Sequence, residues 1–258
     1  MKNRLRKRIV EMITRAGEGH LPSAFSIVDI IDVLYDQFLR VRSAEPDWPD
    51  RDYFVLSKGH GCAALYVVLE KQGFLTREQV DRYGQYDSIL GGHPDRTKVP
   101  GAEASTGSLG HGFATAMGIS LGLRIQGKPG RVVALLGDGE CHEGTIWETA
   151  LVAQNLKLNR LCCIVDLNGS AAQILPHPGL AHQWRAFGWD AVEVDGHNPT
   201  ALAAVLGPFF EGKTSRPYAV IAKTVKGKGV SFLESHGPWH HRIPNADEFR
   251  AIMAELDA

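Results

Sequence analysis

The chain has 258 residues, and its charges nearly cancel, with 28 Lys and Arg against 29 Asp and Glu. A chain of this length can bury one large core, so we expect a single domain over residues 1–258. The balanced charge and the lack of a long apolar run argue against a nucleic-acid partner and against a membrane span. The four cysteines have no CxxC spacing and no signal peptide is visible, so we expect reduced thiols and a cytoplasmic location.

The amino-terminal part begins with helical spacing of apolar residues over 3–16. Residues 20–23 are predicted to form a turn, with Ser26 as the cap of the next helix. A strand over 51–56 is followed by Ser-Lys-Gly-His and then by renewed helical spacing. Such a junction can cradle a phosphate, because the first amides of a helix have no internal partners. His60 in this junction is therefore a candidate donor to an anionic oxygen, with simple helix capping as the alternative.

Two glycine-rich loops precede the next strand. Residues 91–95 (Gly-Gly-His-Pro-Asp) show no periodicity, which predicts an exposed or functional loop. Residues 104–112 carry three glycines ahead of a helix predicted over 113–123. Glycines in such loops usually serve tight turns, so neither loop indicates a function by itself.

A strand, a helix and a second strand follow in the middle of the chain. The apolar runs at 132–136 and 161–165 are typical of buried parallel strands, and 143–156 has helical spacing between them. Asp138 and Asn168 follow the two strands, thirty positions apart. Parallel strands end at one edge of the sheet, where open α/β sheets bind ligands. We therefore expect these two side chains to lie close together.

The chemistry of this pair suits a hard divalent cation. Asp138 offers a carboxylate and Asn168 an amide oxygen, and the next loop can add a backbone carbonyl. Mg²⁺ takes few such protein ligands and completes its shell with phosphate and water. Gly137 and Gly139 allow the backbone N–H groups to approach a phosphate oxygen. The structural alternative is that the Asp caps a helix and the Asn forms a turn, but the matching strand ends favour a metal–diphosphate site.

The carboxyl-terminal part continues the alternation of strands and helices. Residues 190–195 alternate like a strand, 198–200 are predicted to cap a helix, and 218–222 form a further core strand. The irregular stretch 234–241 contains three histidines without the cysteines or helical spacing of a zinc site. The order of elements predicts an α/β protein.

Short motifs along nearly the whole chain resemble the transketolase family. Gly137-Asp138-Gly139 with Asn168 thirty residues later is similar to the thiamine-diphosphate signature. The further motifs are GEGH at 17–20, SKGH at 57–60, GHPD at 92–95, STGSLG at 105–110 and AKTVKGKG at 222–229. The resemblance is closer still to the amino-terminal subunit of split, two-chain transketolases. It implies a three-layer α/β sandwich with a mostly parallel central sheet, the thiamine-diphosphate-binding fold.

The resemblance also implies roles for individual residues. His20 and His93 would contact the substrate as catalytic residues, and Glu143 would link the two active sites of a dimer. The residues implied to bind the cofactor are His60, Ser108, Leu109, Gly110, Gly139, Glu140, Asn168 and His240. The implied metal ligands are Asp138, Asn168 and the carbonyl of Ser170. His240 matches the family's Trp-His-Gly histidine best, while His241 and, less well, His236 stay open as alternatives.

The chain departs from the family pattern at two places. Leu21-Pro22-Ser23 stands where Pro-Gly is common, and the loop over 169–178 is shorter than usual. The implied activity is transfer of a two-carbon ketol unit from a ketose to an aldose, with thiamine diphosphate and Mg²⁺. The glutamate that activates the cofactor belongs to another domain of the family. We therefore expect a separate carboxyl-terminal, pyrimidine-binding subunit, a heterotetramer, and sugars or sugar phosphates as substrates.

Two alternatives remain at this stage. The chain could serve a transketolase-like enzyme of specialised sugar or secondary metabolism with a different substrate. It could also be a scaffold subunit without catalysis, although the intact Asp138, Asn168 and His60 argue against that.

Overall fold

The structure, a computed structural model, describes residues 3–177, 179–234, 239 and 241–258. One five-stranded sheet runs through these residues in the order β1-β2-β3-β5-β4, and all of its pairings are parallel. The strands are β1 (Tyr53–Leu56), β2 (Val132–Gly137), β3 (Leu161–Leu167), β4 (Asp190–Asp195) and β5 (Tyr218–Lys223). The central strands are continuous apolar runs because helices cover the sheet on both faces.

Helices connect and flank the strands. In chain order they are α1 (Arg4–Ala16), α2 (Leu21–Gln37), α3 (Cys62–Lys71), α4 (Arg77–Asp81), α5 (His111–Ile125), α6 (Gly144–Asn155), α7 (Leu180–Ala186), α8 (Pro199–Phe210) and α9 (Ala246–Asp257). Short 3₁₀ turns lie at Gly59–Gly61, Gly139–His142 and Ala171–Gln173. Within the described ranges, no helix is both long enough and apolar enough to cross a membrane.

The core is divided by the sheet into two hydrophobic clusters. Val133 and Leu135 of β2 pack with residues of α1, α2, α3, α8 and α9. Val132, Ala134 and Leu136 of the same strand pack with residues of α5, α6 and α7. This alternation follows from the two-residue period of a strand. The predicted three-layer α/β sandwich with a parallel central sheet is confirmed.

The prediction of a turn at 20–23 is wrong. Helix α2 begins at Leu21, and Pro22 lies in its first turn. Proline is tolerated there because the N–H it lacks would have no helical partner in any case. The predicted cap at Ser26 is wrong for the same reason, since Ser26 is buried inside the helix and donates to Asp166 Oδ2 at 2.8 Å.

Other predicted boundaries differ by a few residues. The first strand begins at Tyr53, because the backbone N–H groups of Arg51 and Asp52 donate to the carbonyls of Trp48 and Arg40 and not to β2. The helix predicted from 143 begins at Gly144, with Glu143 as its N-cap residue. The cap predicted at 198–200 is present, since Asn198 Oδ1 accepts the backbone N–H of Ala201 at 3.1 Å.

Candidate functional site

The ends of β2 and β3 place Asp138 and Asn168 at one edge of the sheet. The Asp138 carboxylate accepts the backbone N–H of Gly139 at 2.8 Å and that of Ala171 at 3.3 Å. Asn168 Oδ1 accepts the backbone N–H of Ser170 at 3.0 Å. Both predicted side chains therefore accept backbone N–H groups of the 168–171 loop.

A buried carboxylate lies directly beneath this loop. Asp166 Oδ2 accepts hydrogen bonds from Lys58 Nζ at 2.6 Å and from Ser26 Oγ and Asn168 Nδ2, both at 2.8 Å. Its other oxygen, Oδ1, accepts from the hydroxyl of Thr224. Burial by itself would raise the pKa of Asp166, but the Lys58 ammonium holds that pKa below its ordinary value. Lys58 and Asp166 thus form an ion pair that is almost completely shielded from solvent.

A second lysine belongs to the same electrostatic environment. Burial, helped by the nearby ammonium of Lys58, lowers the pKa of Lys226, while Asp138 and Asp166 act in the opposite direction. Lys226 lies in the Lys-Thr-Val-Lys-Gly-Lys-Gly segment, to which the sequence assigned no individual role. The motif at 222–229 could have drawn attention to Lys226, but only the tertiary structure brings this lysine close to Asp138.

Histidines from distant parts of the sequence meet close to this edge. The ring of His20 lies 5.4 Å from that of His60 and 4.7 Å from that of His241, measured between ring centroids. His20 precedes α2, and His60 lies in the 3₁₀ turn after β1. His240, the histidine that the resemblance favoured for cofactor binding, lies outside the described residues, as does His236.

The glycine-rich loops pack on one another too closely for side chains. A Cβ added at Gly107 would lie 3.2 Å from the ring of His93. A Cβ at Gly59 would lie 2.9 Å from the backbone of Thr106. The Tyr66 hydroxyl holds the backbone carbonyl of His93 at 3.0 Å. The three loops at 57–60, 91–95 and 104–112 therefore form one packed unit that carries both His60 and His93.

Glu140 joins three of these segments from inside. Its carboxylate accepts from Ser57 Oγ at 2.5 Å, from the N–H of Gly110 at 2.9 Å and from the N–H of Gly137 at 3.1 Å. Burial raises the pKa of Glu140, and these donors oppose the shift. The side chain of Glu140 is thus committed to the protein interior, and it determines where the neighbouring loops lie.

The remaining predicted residues lie at the outer end of the same loops. Glu143 is exposed. A Cβ added at Gly110 would lie 3.0 Å from the Cβ of Glu143. His111 Nδ1 donates to the carbonyl of Leu109 at 3.0 Å and lies 3.2 Å from Ser108 Oγ. His111 therefore stabilises the turn that carries Ser108 and Leu109.

A histidine that sequence reasoning did not single out lies over Asp138. His177 Nε2 donates to the carbonyl of Asp138 at 3.0 Å, and its ring stacks on that of His142 with centroids 4.0 Å apart. Burial, followed by the neighbouring His142, lowers the pKa of His177. The loop after Asn168 thus folds back onto the residue that follows β2.

These residues fit a hard cation and an attached diphosphate. The donors are one carboxylate, one amide oxygen and backbone oxygens of the 168–171 loop, which is the ligand set that Mg²⁺ accepts. Ser170 Oγ is buried there without a hydrogen-bond partner among the described residues, and a Cβ added at Gly139 would meet no atom within 4 Å. Across the described part of the chain, no three His, Cys, Asp or Glu side chains cluster as metal ligands. A site with a single carboxylate is consistent with that finding.

A parallel sheet with a carboxylate, an amide oxygen and lysines at its carboxyl edge defines an α/β protein whose site suits a phosphorylated ligand. Comparison with protein families makes the class specific. Residues 1–256 match the family described as transketolase, thiamine diphosphate binding domain. The chain belongs to the transketolase family and is a transketolase-type transferase. The resemblance inferred from the motifs is confirmed.

Relatives of similar length are named as subunits. The chain is 36% identical to an apulose-4-phosphate transketolase subunit of Phocaeicola vulgatus, over 97% of this chain and 90% of the relative. It is 34% identical to the 6-deoxy-6-sulfo-D-fructose transketolase subunit SqwG of a Clostridium species, over 99% and 94% of the two chains. These relatives point to sugar metabolism.

Longer transketolases contain the same fold as one of their parts. The transketolase of Campylobacter jejuni superimposes with a TM-score of 0.92 at 26% identity, over 99% of this chain and 42% of that chain. The Leishmania mexicana enzyme gives 0.91 at 26% identity, over 99% and 40%. The chain therefore spans about two fifths of the length of these solved transketolases.

Proposed function

We propose that this chain is a single diphosphate-binding domain that acts as one subunit of a thiamine-diphosphate-dependent transketolase. The reaction is transfer of a two-carbon ketol unit from a ketose to an aldose. The observation that carries the proposal is that Asp138 and Asn168 both accept N–H groups of the 168–171 loop, with Lys226 in the same electrostatic environment. A cation bound between two oxygen ligands, with the half-buried ammonium of Lys226 nearby, favours a diphosphate over a neutral ligand.

The metal would be held by Asp138, Asn168 and the carbonyl of Ser170. The residues proposed to contact the cofactor are His60, Ser108, Leu109, Gly110, Gly139, Glu140, Asn168 and His240. Glu140 would act through the backbone, because its carboxylate already accepts three hydrogen bonds from the protein. When bound, thiamine diphosphate supplies the electron sink that lets the carbon–carbon bond beside a ketose carbonyl break and form.

The chain's own side chains would orient the substrate and move protons. His20 and His93 would donate hydrogen bonds to substrate oxygens as charge develops on them. The packing of His93 against Gly107 restricts its ring, and such preorganisation increases the value of each hydrogen bond. Glu143 is exposed at the start of α6, which suits its proposed role in linking two active sites through a subunit interface.

A separate subunit would supply the pyrimidine-binding domain, giving a heterotetramer in the cytoplasm. Support comes from the names of the relatives, which are called subunits and are matched over at least 90% of their length. The solved single-chain transketolases have more than twice the length that this chain covers. We expect no turnover by this chain unless that partner is present.

The substrate is proposed to be a ketose that carries an anionic group. The two named relatives act on a sugar phosphate and a sulfonated sugar, as their names state. This favours specialised sugar metabolism over a scaffold role, and a scaffold would have no need for the buried ligands at the ends of β2 and β3.

Calorimetric titration of the full chain with thiamine diphosphate tests the proposal. We expect binding with Mg²⁺ and loss of binding when EDTA removes the metal. Loss of a residue that only hydrogen-bonds to a metal ligand typically weakens metal binding about 10- to 100-fold. D138N removes a proposed ligand itself, so it should weaken metal-dependent binding by more than that. The matched control is D50N, which removes an exposed carboxylate outside the site. Metal-independent binding, or equal binding by D138N and D50N, would contradict the proposed site.

A further inference from the structure

We propose that Asp166 is a positioning residue that fixes the side-chain amide of Asn168, so that its oxygen and not its nitrogen is presented to the cation. This inference rests on the proposed function, because it concerns the metal site described above. Asp166 itself would touch neither the metal nor the cofactor.

The geometry of the two side chains carries the inference. Asp166 lies two residues before Asn168, and alternate residues of a strand share one face of the sheet. Asn168 Nδ2 donates to Asp166 Oδ2 at 2.8 Å, while Asn168 Oδ1 accepts from the N–H of Ser170 at 3.0 Å. The amide nitrogen is thus held beneath the loop, and the amide oxygen lies on the side of the 168–171 loop.

The opposite orientation of the amide is disfavoured on both sides. It would bring Asn168 Oδ1 against a carboxylate oxygen, where two acceptors face each other. It would also bring Asn168 Nδ2 against the N–H of Ser170, where two donors face each other. An amide nitrogen has no lone pair to offer a cation, so a flipped Asn168 would remove one metal ligand.

The Lys58 ammonium and two hydroxyl groups hold the Asp166 carboxylate in one orientation. The Lys58 ammonium lies 2.6 Å from Oδ2 and is buried with it, so the same oxygen accepts from Lys58 and from the Asn168 amide. Ser26 and Thr224 donate to its two oxygens from α2 and from the end of β5. These donors come from elements far apart in the chain, and together they prevent rotation of the carboxylate.

The rival explanation is that Asp166 only compensates the buried charge of Lys58. Under that explanation its loss would destabilise the fold without a specific effect on the metal. Under ours, metal affinity depends on the pairing of an acceptor at position 166 with the amide at position 168. Exchange of the two residues distinguishes the explanations, because Asp at 168 presents an oxygen in either orientation.

The experiment compares the full chain with D166N, the control D50N and the exchange variant D166N/N168D. The Mg²⁺ concentration that gives half-maximal binding of thiamine diphosphate is measured by calorimetry, and the melting temperature is measured without metal. We expect D166N to need about 10- to 100-fold more Mg²⁺. D50N removes an exposed carboxylate outside the site and should leave the Mg²⁺ requirement unchanged. The exchange variant should recover most of the affinity that D166N loses.

The outcomes separate the positioning role from the proposed function. Absence of metal-dependent binding by the unaltered chain would overturn the proposed function itself. A normal Mg²⁺ requirement in D166N, or failure of a folded exchange variant to regain affinity, would overturn the positioning role alone. If D166N does not fold, the exchange variant, which keeps the total charge of the two positions, carries the test, and its lack of metal-dependent binding would refute the inference.

Discussion

Gly110 provides a direct test of how closely the loops of the site are packed. Its φ of +83° lies in the left-handed region, and an added Cβ would lie 2.2 Å from Thr145 Oγ1. The conformation alone costs a non-glycine residue about 1–2 kcal/mol. Overpacking adds about 1–3 kcal/mol, so G110A should lower the free energy of unfolding by about 2–5 kcal/mol. That corresponds to a fall in melting temperature of about 5–15 °C for a chain of this size.

Denaturant unfolding followed by circular dichroism measures this loss, with G118A as the matched control. Gly118 is an exposed glycine of α5 with no atom within 4 Å of an added Cβ, so the same substitution should stabilise the helix by about 0.5–1 kcal/mol. The double variant G110A/T145A removes the clashing hydroxyl and should recover part of the steric loss, while the close approach to Glu143 and the backbone cost remain. A G110A variant within about 0.5 kcal/mol of the original chain would refute this reasoning.

Two further predictions concern ionisable groups. Burial raises the pKa of the Cys62 thiol to about 12 and also raises that of the other three cysteines, so none should react with a colorimetric thiol reagent before unfolding. Rapid labelling of the native chain would contradict this. Burial raises the pKa of Asp29, but hydrogen bonds from His197 and Arg6 outweigh it and leave the pKa below its ordinary value of 3.8. The ionised carboxylate therefore stabilises the fold above that pH, and this contribution is lost as the pH falls. The free energy of unfolding of D29N in urea should therefore change less with pH below about pH 4 than that of the unaltered chain. An unchanged pH dependence would count against the pair.

Local sequence information was sufficient where a pattern repeats within one element. The apolar runs of β2 and β3 are visible without a partner, because a strand covered on both faces has no polar alternation. Their polar ends, Asp138 and Asn168, could therefore be assigned to one edge of a parallel sheet. Helix α2 was placed too late because His-Leu-Pro-Ser reads as a turn, although proline is compatible with the first turn of a helix.

Residues whose meaning depends on distant partners could not be assigned in this way. Lys58 and Asp166 are 108 positions apart, and each alone reads as an ordinary polar residue beside a strand. His177 is one of several histidines in irregular segments until its hydrogen bond to the Asp138 carbonyl is known. In the sequence Glu140 looks like an acidic residue in the first turn of a helix. In the fold its carboxylate is buried and accepts hydrogen bonds from one side chain and two backbone N–H groups.

The amino-acid sequence by itself determined the α/β class, the family and the two residues that end the central strands, because periodicity and motif spacing are properties of short segments. Only the tertiary structure decided which charges are buried together and how the loops are held, because some of those contacts join residues more than a hundred positions apart. The orientation of Asn168 belongs to the second group, since it depends on a carboxylate whose own partners come from three other elements.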